Sequence, residues 1–231
     1  MELKKTKGGG AEKTSNGRVF YRNPLDAPKK LGDMKEIAKF ESLAYSGDGI
    51  LEHIFKDKRY KDIDTPLSKY CFPLGFGLDE HIRKLLANIG DGNALRVLDV
   101  GAGTCSQWKE IVLENKGKLE FSAVALSDAY VAREMLPFLK ICAAEGMVHE
   151  FSHSSFDLIV TYAGMHNQGL VGIKASEWLL KPSGELIVTL STKTMPEPEE
   201  IFSVCDKLEL VRAASDKSGE AVTYWLRKKT D

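Results

Sequence analysis

The chain has 231 residues and a mass of 25.6 kDa, which suits one domain of ordinary size or one domain with a small appendage. Apolar residues make up 43% and charged residues 28%, so a packed core is expected and a wholly disordered or fibrous chain is excluded. The formal charge of −1 gives neither a global basic field that attracts nucleic acid nor an acidic field that repels it. No apolar run approaches the roughly 20 residues that span a bilayer, and no secretory signal is visible, so we expect no membrane partner.

The four cysteines indicate a reducing compartment. They form no CxxC pair, so their spacing indicates neither a zinc module nor a redox pair. They are Cys71, Cys105, Cys142 and Cys205. A cytoplasmic protein is the simplest expectation.

The first third of the chain is predicted to be an arm and a helical extension. Residues 1–18 are rich in Lys and Gly and lack an apolar period, which predicts a disordered basic arm. Such an arm can contact phosphate or an acidic partner, although a solvated tail is the interpretation that we favour. Apolar residues recur at three- and four-residue steps within 33–60 and near 78–89, so residues 19–93 are predicted to be a helical N-terminal extension.

From residue 94 short β-rich runs alternate with helical ones, which predicts a parallel sheet covered on both faces. The predicted strands are 95–101, 118–126, 138–142, 156–164 and 185–191. Two further β-rich runs flank DKSGE near the C-terminus and predict an antiparallel hairpin. The predicted fold class is therefore α/β, with a doubly wound, mostly parallel seven-stranded sheet whose last strand is antiparallel.

The turn after the first predicted strand reads LDVGAGTC, with Asp99, Gly101 and Gly103 at the start of a predicted helix. Small residues let a ligand approach the backbone closely, and the first amides of a helix are free to bind it. The turn lacks the Lys of a P-loop and the third glycine of a dinucleotide-binding fingerprint. These absences argue against a P-loop kinase and a nicotinamide-dependent oxidoreductase.

The pattern V-L-D-V-G-A-G-T resembles motif I of the class I S-adenosylmethionine-dependent methyltransferases. The segments FDLIV (156–160) and WLLKPSGELIV (178–188) and the closing hairpin are also similar to elements of that family. The likeness covers about residues 94–229 and implies a Rossmann-like methyltransferase domain over 94–231, with S-adenosylmethionine as cofactor. Glu145, His149, Glu150 and His153 could suggest a metal cluster, but their spacing matches no known ligand frame, so we expect no metal.

The resemblance assigns the methionine end of the cofactor to the glycine turn. The backbone of Gly101, Ala102 and Gly103 is expected to face that end, and Asp99 is expected to hold its amino group. The alternative for Asp99 is a carboxylate that caps the amides of the loop.

At the ribose, the acid that relatives carry aligns with Ala125, and Ser127 and Asp128 lie just beyond it. A carboxylate can accept from both ribose hydroxyls, so Ser127 and Asp128 are candidate substitutes. Asp128 is equally well explained as the N-cap of a helix.

At the adenine, relatives often carry Asp-Ala-Glu, and this chain has Ala143-Ala144-Glu145. Ala144 and Glu145 are the candidate adenine residues. The alanine at both expected acids raises the alternative of a weak or lost cofactor site.

The loop TYAGMHNQG follows the fourth predicted strand and lacks the Asn/Asp-Pro-Pro-Tyr signature of amino-group methylation. His166 is the candidate general base for a hydroxyl acceptor, and Tyr162 and Asn167 are candidates that orient the substrate. The alternative is that His166 packs within the loop. Residues 34–77 are the candidate lid, because this family commonly covers its site with the segment before the first strand.

The sequence therefore predicts a methyltransferase that acts on a small molecule or a saccharide-like hydroxyl. One alternative is an inactive paralogue that keeps the fold as a binding or scaffold protein. Another is an RNA or protein methyltransferase that uses the basic arm, although the near-neutral body argues against nucleic acid as a partner. Nothing in the sequence indicates an oligomeric state.

Overall fold

The computed structural model describes residues 4–5, 10–27, 66–90, 92–125, 131–162, 169–193 and 195–230. The strands in this part of the chain are β1 (Lys4–Lys5), β2 (Ala11–Lys13), β3 (Val19–Tyr21), β4 (Leu95–Val100), β5 (Leu119–Ala125), β6 (Leu139–Ile141), β7 (Phe156–Tyr162), β8 (Leu180–Ser191), β9 (Leu208–Ser215) and β10 (Ala221–Lys228). The α-helices are α1 (Leu67–Tyr70), α2 (Leu78–Asn88), α3 (Lys109–Glu114), α4 (Gly169–Leu179) and α5 (Pro198–Val204). Among these described helices, none has the length and apolar content that a membrane crossing requires.

Seven strands form the main sheet in the order β6-β5-β4-β7-β8-β10-β9. The first five of these strands are mutually parallel, whereas β10 pairs antiparallel with both β8 and β9. The predicted fold class is therefore confirmed, including the antiparallel last strand. The carboxyl ends of β4, β5 and β7 meet at one edge of the sheet, which is where open α/β sheets bind ligands.

Both faces of the central strands β4, β7 and β8 are buried, which explains their continuous apolar runs. Leu98, Ile159 and Leu186 pack into the core with α4 and α5. Their neighbours Val97, Leu158 and Ile187 pack into the core with α1, α2 and α3. Successive side chains of a strand point to opposite faces, so each strand supplies both cores.

The N-terminal ribbon, which we define as residues 10–27, corrects the prediction of a disordered arm over 1–18. β1, β2 and β3 form a three-stranded antiparallel sheet, and Ala11, Val19 and Tyr21 pack with Val171 of α4. Strands of two or three residues are too short to show a period, and the Lys- and Gly-rich composition around them indicates disorder instead. For the same reason, the helical extension predicted from residue 19 is wrong at β3.

Polar contacts tie this ribbon to α5. The Thr14 hydroxyl donates to Glu200 Oε1 at 2.5 Å, and Arg18 Nε donates to Glu200 Oε2 at 3.1 Å. A further guanidinium nitrogen of Arg18 donates to the carbonyl of Met195. The ribbon therefore spans from α4 to the segment that follows β8.

Two predicted helical regions are not confirmed: one forms a 3-10 helix where the structure describes it, and the other lies mostly outside the described residues. The segment after β5 is described from residue 131, and it forms a 3-10 helix over Arg133–Phe138 that contains Pro137. Pro137 has no N–H to donate, so a longer α-helix is disfavoured there. The helices predicted within 33–60 and most of the candidate lid 34–77 lie outside the described residues. Of that lid, the structure describes residues 66–77, which contain α1 and a 3-10 helix over Phe72–Leu74.

Candidate functional site

The glycine turn after β4 is an open backbone bend. Gly101 and Gly103 have φ values of 78° and 57°, which favour glycine. The N–H groups of Gly101 and Ala102 both donate to the carbonyl of Val124, at 2.8 and 3.3 Å, and so tie the bend to β5. A Cβ added at Gly103 would meet no atom within 4 Å. The bend thus offers exposed backbone at Gly103, at the carboxyl edge of the sheet, whereas Ala102 is buried.

Asp99 lies directly before this bend and is fully buried. Its Oδ2 accepts from Trp108 Nε1 at 2.5 Å and from the Tyr70 hydroxyl at 3.3 Å. Its Oδ1 has no hydrogen-bond partner among the described residues. Burial raises the pKa of Asp99 to about 7, against the opposing effect of the bonds from Trp108 and Tyr70. The partners of Asp99 are therefore side chains, not the loop amides that the capping alternative requires.

Gln107 continues this network from the 3-10 helix Ser106–Trp108. Its Nε2 donates to the Tyr70 hydroxyl at 2.9 Å and to the carbonyl of Ala102 at 3.1 Å. A carbonyl only accepts, so the contact with Ala102 fixes which amide atom is the nitrogen. Gln107 Oε1 is buried and has no partner among the described residues.

Tyr162 ends β7 beside the same network. Its ring lies 5.3 Å from the ring of Tyr70, measured between centroids, and the residue is 36% exposed. The backbone carbonyl of Tyr70 accepts from the Thr189 hydroxyl of β8. Tyr70 therefore links Asp99 and Tyr162, two of the predicted site residues.

Sequence reasoning missed Tyr70, Gln107 and Trp108 as parts of the site. Tyr70 is also a core residue, with 5% of its surface exposed. These three residues belong to no motif, and their approach to Asp99 depends on how α1 packs against the sheet. No local pattern in the sequence signals such a contact.

Near the expected ribose and adenine positions, three of the described residues are alanines: Ala125, Ala143 and Ala144. Ala125 ends β5, and its carbonyl accepts from the N–H of Cys142. Ala143 and Ala144 are each 4% exposed, so little of either side chain is accessible. Glu145 lies in the 3-10 helix Ala144–His149. Ser127, Asp128, His166 and Asn167 lie outside the described residues, so their assignments stay predictions.

Within the described ranges, no group of three His, Cys, Asp or Glu side chains is placed to hold a metal ion. His149 and His153, which follow Ala143-Ala144-Glu145 in the sequence, contact a backbone carbonyl and an aromatic ring. His149 Nε2 lies 2.7 Å from the carbonyl of Ala27 in the N-terminal ribbon, and the ring of His153 packs against Trp178.

The chain matches no family model and no curated protein. It is similar to solved structures at low identity. The [4+2]-cyclase SpnF is 14% identical, with a TM-score of 0.50 over 67% of this chain and 82% of SpnF. The CurJ carbon methyltransferase is 13% identical, with a TM-score of 0.51 over 66% of this chain and 53% of the CurJ chain.

A third similar structure is a protein from Galdieria sulphuraria that is proposed to be a sarcosine dimethylglycine methyltransferase. It is 14% identical, with a TM-score of 0.51 over 65% of this chain and 85% of that protein. At these identities the likeness concerns the fold alone. Together with the strand order and the glycine bend, it shows that this chain has the class I S-adenosylmethionine-dependent methyltransferase fold.

Proposed function

We propose that this chain is an S-adenosylmethionine-dependent methyltransferase that acts on a small molecule or a saccharide-like acceptor. The observation that carries the proposal is the unpartnered, buried Oδ1 of Asp99 beside an open glycine bend. A buried acceptor without a donor is unfavourable, and a buried carboxylate also lacks compensation for its charge. An ammonium group supplies both donors and positive charge.

The residues at the methionine end fit this cofactor. The backbone of Gly101, Ala102 and Gly103 is free of long side chains, so the cofactor can approach it closely. Asp99 would hold its amino group. When bound, S-adenosylmethionine supplies an activated methyl group, and the chain binds and orients the reactants.

The acceptor side of the proposal rests on Tyr162 and His166. Tyr162 is partly exposed at the end of β7, and no hydrogen bond to its hydroxyl is made by the described residues, so it is available to orient an acceptor. His166 follows in the next loop, and one of its ring nitrogens would take the proton that an acceptor hydroxyl loses. Ser127, Asp128, Ala144 and Glu145 are the proposed ribose and adenine residues.

Isothermal titration with S-adenosylmethionine and S-adenosylhomocysteine tests cofactor binding. We expect micromolar affinity for the wild type. Asp99→Asn keeps the shape of the side chain but removes its charge, so we expect affinity to fall by roughly ten- to a hundredfold. Glu120→Gln, an exposed carboxylate of β5, is the matched control and should bind like the wild type. A folded wild-type protein that binds neither ligand contradicts the proposal.

The acceptor class is tested separately by incubating the protein with S-adenosylmethionine and a panel of hydroxylated small molecules and sugars. Mass spectrometry is expected to find a product heavier by one methyl group, and His166→Ala should lower the rate of its formation. Methylation restricted to added RNA or protein would contradict the small-molecule assignment.

A second candidate is an inactive protein of this fold that serves as a binding or scaffold module. Ala125 and Ala143 favour it, because they remove two expected acids from the cofactor site. One of the similar structures is named as a cyclase, and a shared fold does not determine the reaction that a protein catalyses. Absence of cofactor binding by a cooperatively folded protein would favour this candidate over the first.

The third candidate, an RNA or protein methyltransferase, depends on a free basic arm. Arg18 pairs with Glu200 inside the fold, so this residue is not part of a free arm. If the arm bound RNA, deletion of residues 1–9 should weaken that binding in a salt-dependent way.

A further inference from the structure

Two buried oxygen atoms in the described structure lack a hydrogen-bond donor and belong to one network. They are Asp99 Oδ1 and Gln107 Oε1. Both side chains bond to the same atom, the hydroxyl oxygen of Tyr70, which accepts from Gln107 and donates to Asp99. Each unsatisfied acceptor destabilises the folded protein. A network that keeps two of them together indicates a ligand that brings the missing donors.

The chemistry of the two atoms defines that ligand. A hydroxyl group has a single hydrogen to donate, whereas a primary ammonium group has three. Asp99 also forms no ion pair with a described basic side chain, so a cationic ligand would compensate its charge. A primary alkylammonium is therefore the best match to the pair of acceptors.

We propose that Gln107 binds the ammonium group of S-adenosylmethionine jointly with Asp99, and that Tyr70 is the positioning residue that orients both acceptors. This inference rests on the function proposed above and adds two residues to its site. The Tyr70 hydroxyl lies between the two side chains, at 2.9 Å from Gln107 Nε2 and 3.3 Å from Asp99 Oδ2. Because Gln107 Nε2 is also held by the carbonyl of Ala102, the free oxygen of its amide is fixed relative to the glycine bend.

Binding of an ammonium group requires the charged form of Asp99, so affinity should rise with pH as this group loses its proton. The groups that contact Asp99 are Trp108, from the 3-10 helix Ser106–Trp108, and Tyr70 from α1; negative charge on the Cys105 thiol would raise the pKa of Tyr70. The bond from Tyr70 lowers the pKa of Asp99. Loss of that bond should therefore move the midpoint of the affinity profile to higher pH.

The experiment measures the affinities of two ligands, S-adenosylhomocysteine and 5′-methylthioadenosine, for the full chain between pH 5.5 and 8.5. The second ligand keeps the adenosine but has no ammonium group. The variants are Tyr70→Phe and Gln107→Met. The control is Tyr224→Phe, which removes a hydroxyl from another buried tyrosine, on β10 and in the core of the opposite face.

Both variants are expected to bind S-adenosylhomocysteine about tenfold more weakly, as for loss of one hydrogen bond to a charged group. Their affinity for 5′-methylthioadenosine should stay within about twofold of the wild type, and Tyr70→Phe should also shift the pH midpoint upward. Tyr224→Phe should change none of these quantities. Thermal unfolding of each variant shows whether it is folded.

Equal losses for the two ligands, or an unshifted pH midpoint in Tyr70→Phe, would overturn this inference and leave the proposed function intact. In that case the network only supports the fold. A wild-type protein that binds neither ligand would instead overturn the proposed function, and this inference with it.

Discussion

At the scale of single residues, Asp99 combines a cost to folding with the binding role that we propose for it. It is fully buried, it has two side-chain donors on one oxygen, and none of the described residues reaches the other oxygen. Burial raises its pKa to about 7, well above the value of an exposed aspartate. A group whose pKa is higher in the folded state stabilises the fold relatively more at low pH, and this contribution is lost as pH rises.

The first prediction concerns the effect of this residue on stability. In the unliganded wild type, the contribution of Asp99 to the free energy of unfolding should decrease between about pH 4 and pH 7, by at most on the order of 4 kcal/mol. Asp99→Asn does not titrate and can still accept from Trp108 and Tyr70. Urea unfolding should therefore find the variant more stable than the wild type at pH 8 and similar to it at pH 4.

The control for that measurement is again Glu120→Gln, because the Glu120 carboxylate of the wild type is exposed. It should show no such difference between the two pH values. A variant Asp99→Asn that is less stable than the wild type at pH 8 would contradict the assigned cause.

The second prediction concerns the alanine at the end of β5. The resemblance predicts that Ala125 stands at the position of the acid for the ribose, so Ala125→Asp should supply an acceptor for both hydroxyls. We expect the affinity for S-adenosylhomocysteine to increase by about tenfold, as for one hydrogen bond to a charged group. The control is Lys140→Asp, which introduces an aspartate at an exposed position of β6 and should leave the affinity unchanged. Ala123 is unsuitable for this purpose because it is fully buried. If Ala125→Asp leaves calorimetric affinity unchanged, another residue already fills the role.

At the scale of elements, a buried carboxylate joins the N-terminal ribbon to α5. The side chain of Glu200 is 6% exposed and accepts from both Thr14 and Arg18. Opposite charges that are partly shielded from water interact more strongly than exposed pairs. The ribbon should therefore contribute to stability, unlike a solvated tail.

The third prediction is a coupling energy within the ribbon. A double-mutant cycle with Arg18→Ala and Glu200→Gln, measured by urea unfolding, should give a coupling of about 1 kcal/mol. The comparison pair is Arg22 and Glu12, in which the arginine side chain is 66% exposed. Its coupling should be smaller and more sensitive to salt. Zero coupling between Arg18 and Glu200 would show that the ribbon is not fixed by this contact.

The main sheet and the glycine bend were predictable from the sequence, because continuous apolar runs such as LRVLDV and the following glycines are local signals. β4, β5, β7 and the hairpin end within one or two residues of their predicted limits. The ribbon was not predictable in the same way, since strands of two or three residues carry almost no periodicity. Contacts of the site that join distant segments, such as Tyr70 with Asp99, follow from packing and have no signature in the sequence.

At the scale of the whole molecule, the sheet depends on a strand that is inserted out of sequence order. β10 lies between β8 and β9 and pairs with both. Its Leu226 is fully buried, and Lys228 donates to the carbonyls of Glu177 and Leu180. β10 therefore joins the edge of the sheet to α4 and to the start of β8.

The fourth prediction is that deletion of residues 221–231 abolishes cooperative unfolding. Without β10, the edge of β8 is unpaired and β9 loses the one strand that it pairs with among the described strands. Circular dichroism during heating should show a broad transition or none, and the protein should aggregate. Deletion of residues 230–231 is the control and should leave the transition unchanged. A sharp transition in the longer deletion would mean that β9 can pair directly with β8.

The position of β10 also bears on how the protein is made. As the chain emerges from the ribosome, β9 leaves the exit tunnel before the strand that must lie between it and β8. Until β10 follows, the edge of β8 lacks the strand that pairs with it in the folded protein, and a chaperone that shields apolar strands can act in this interval.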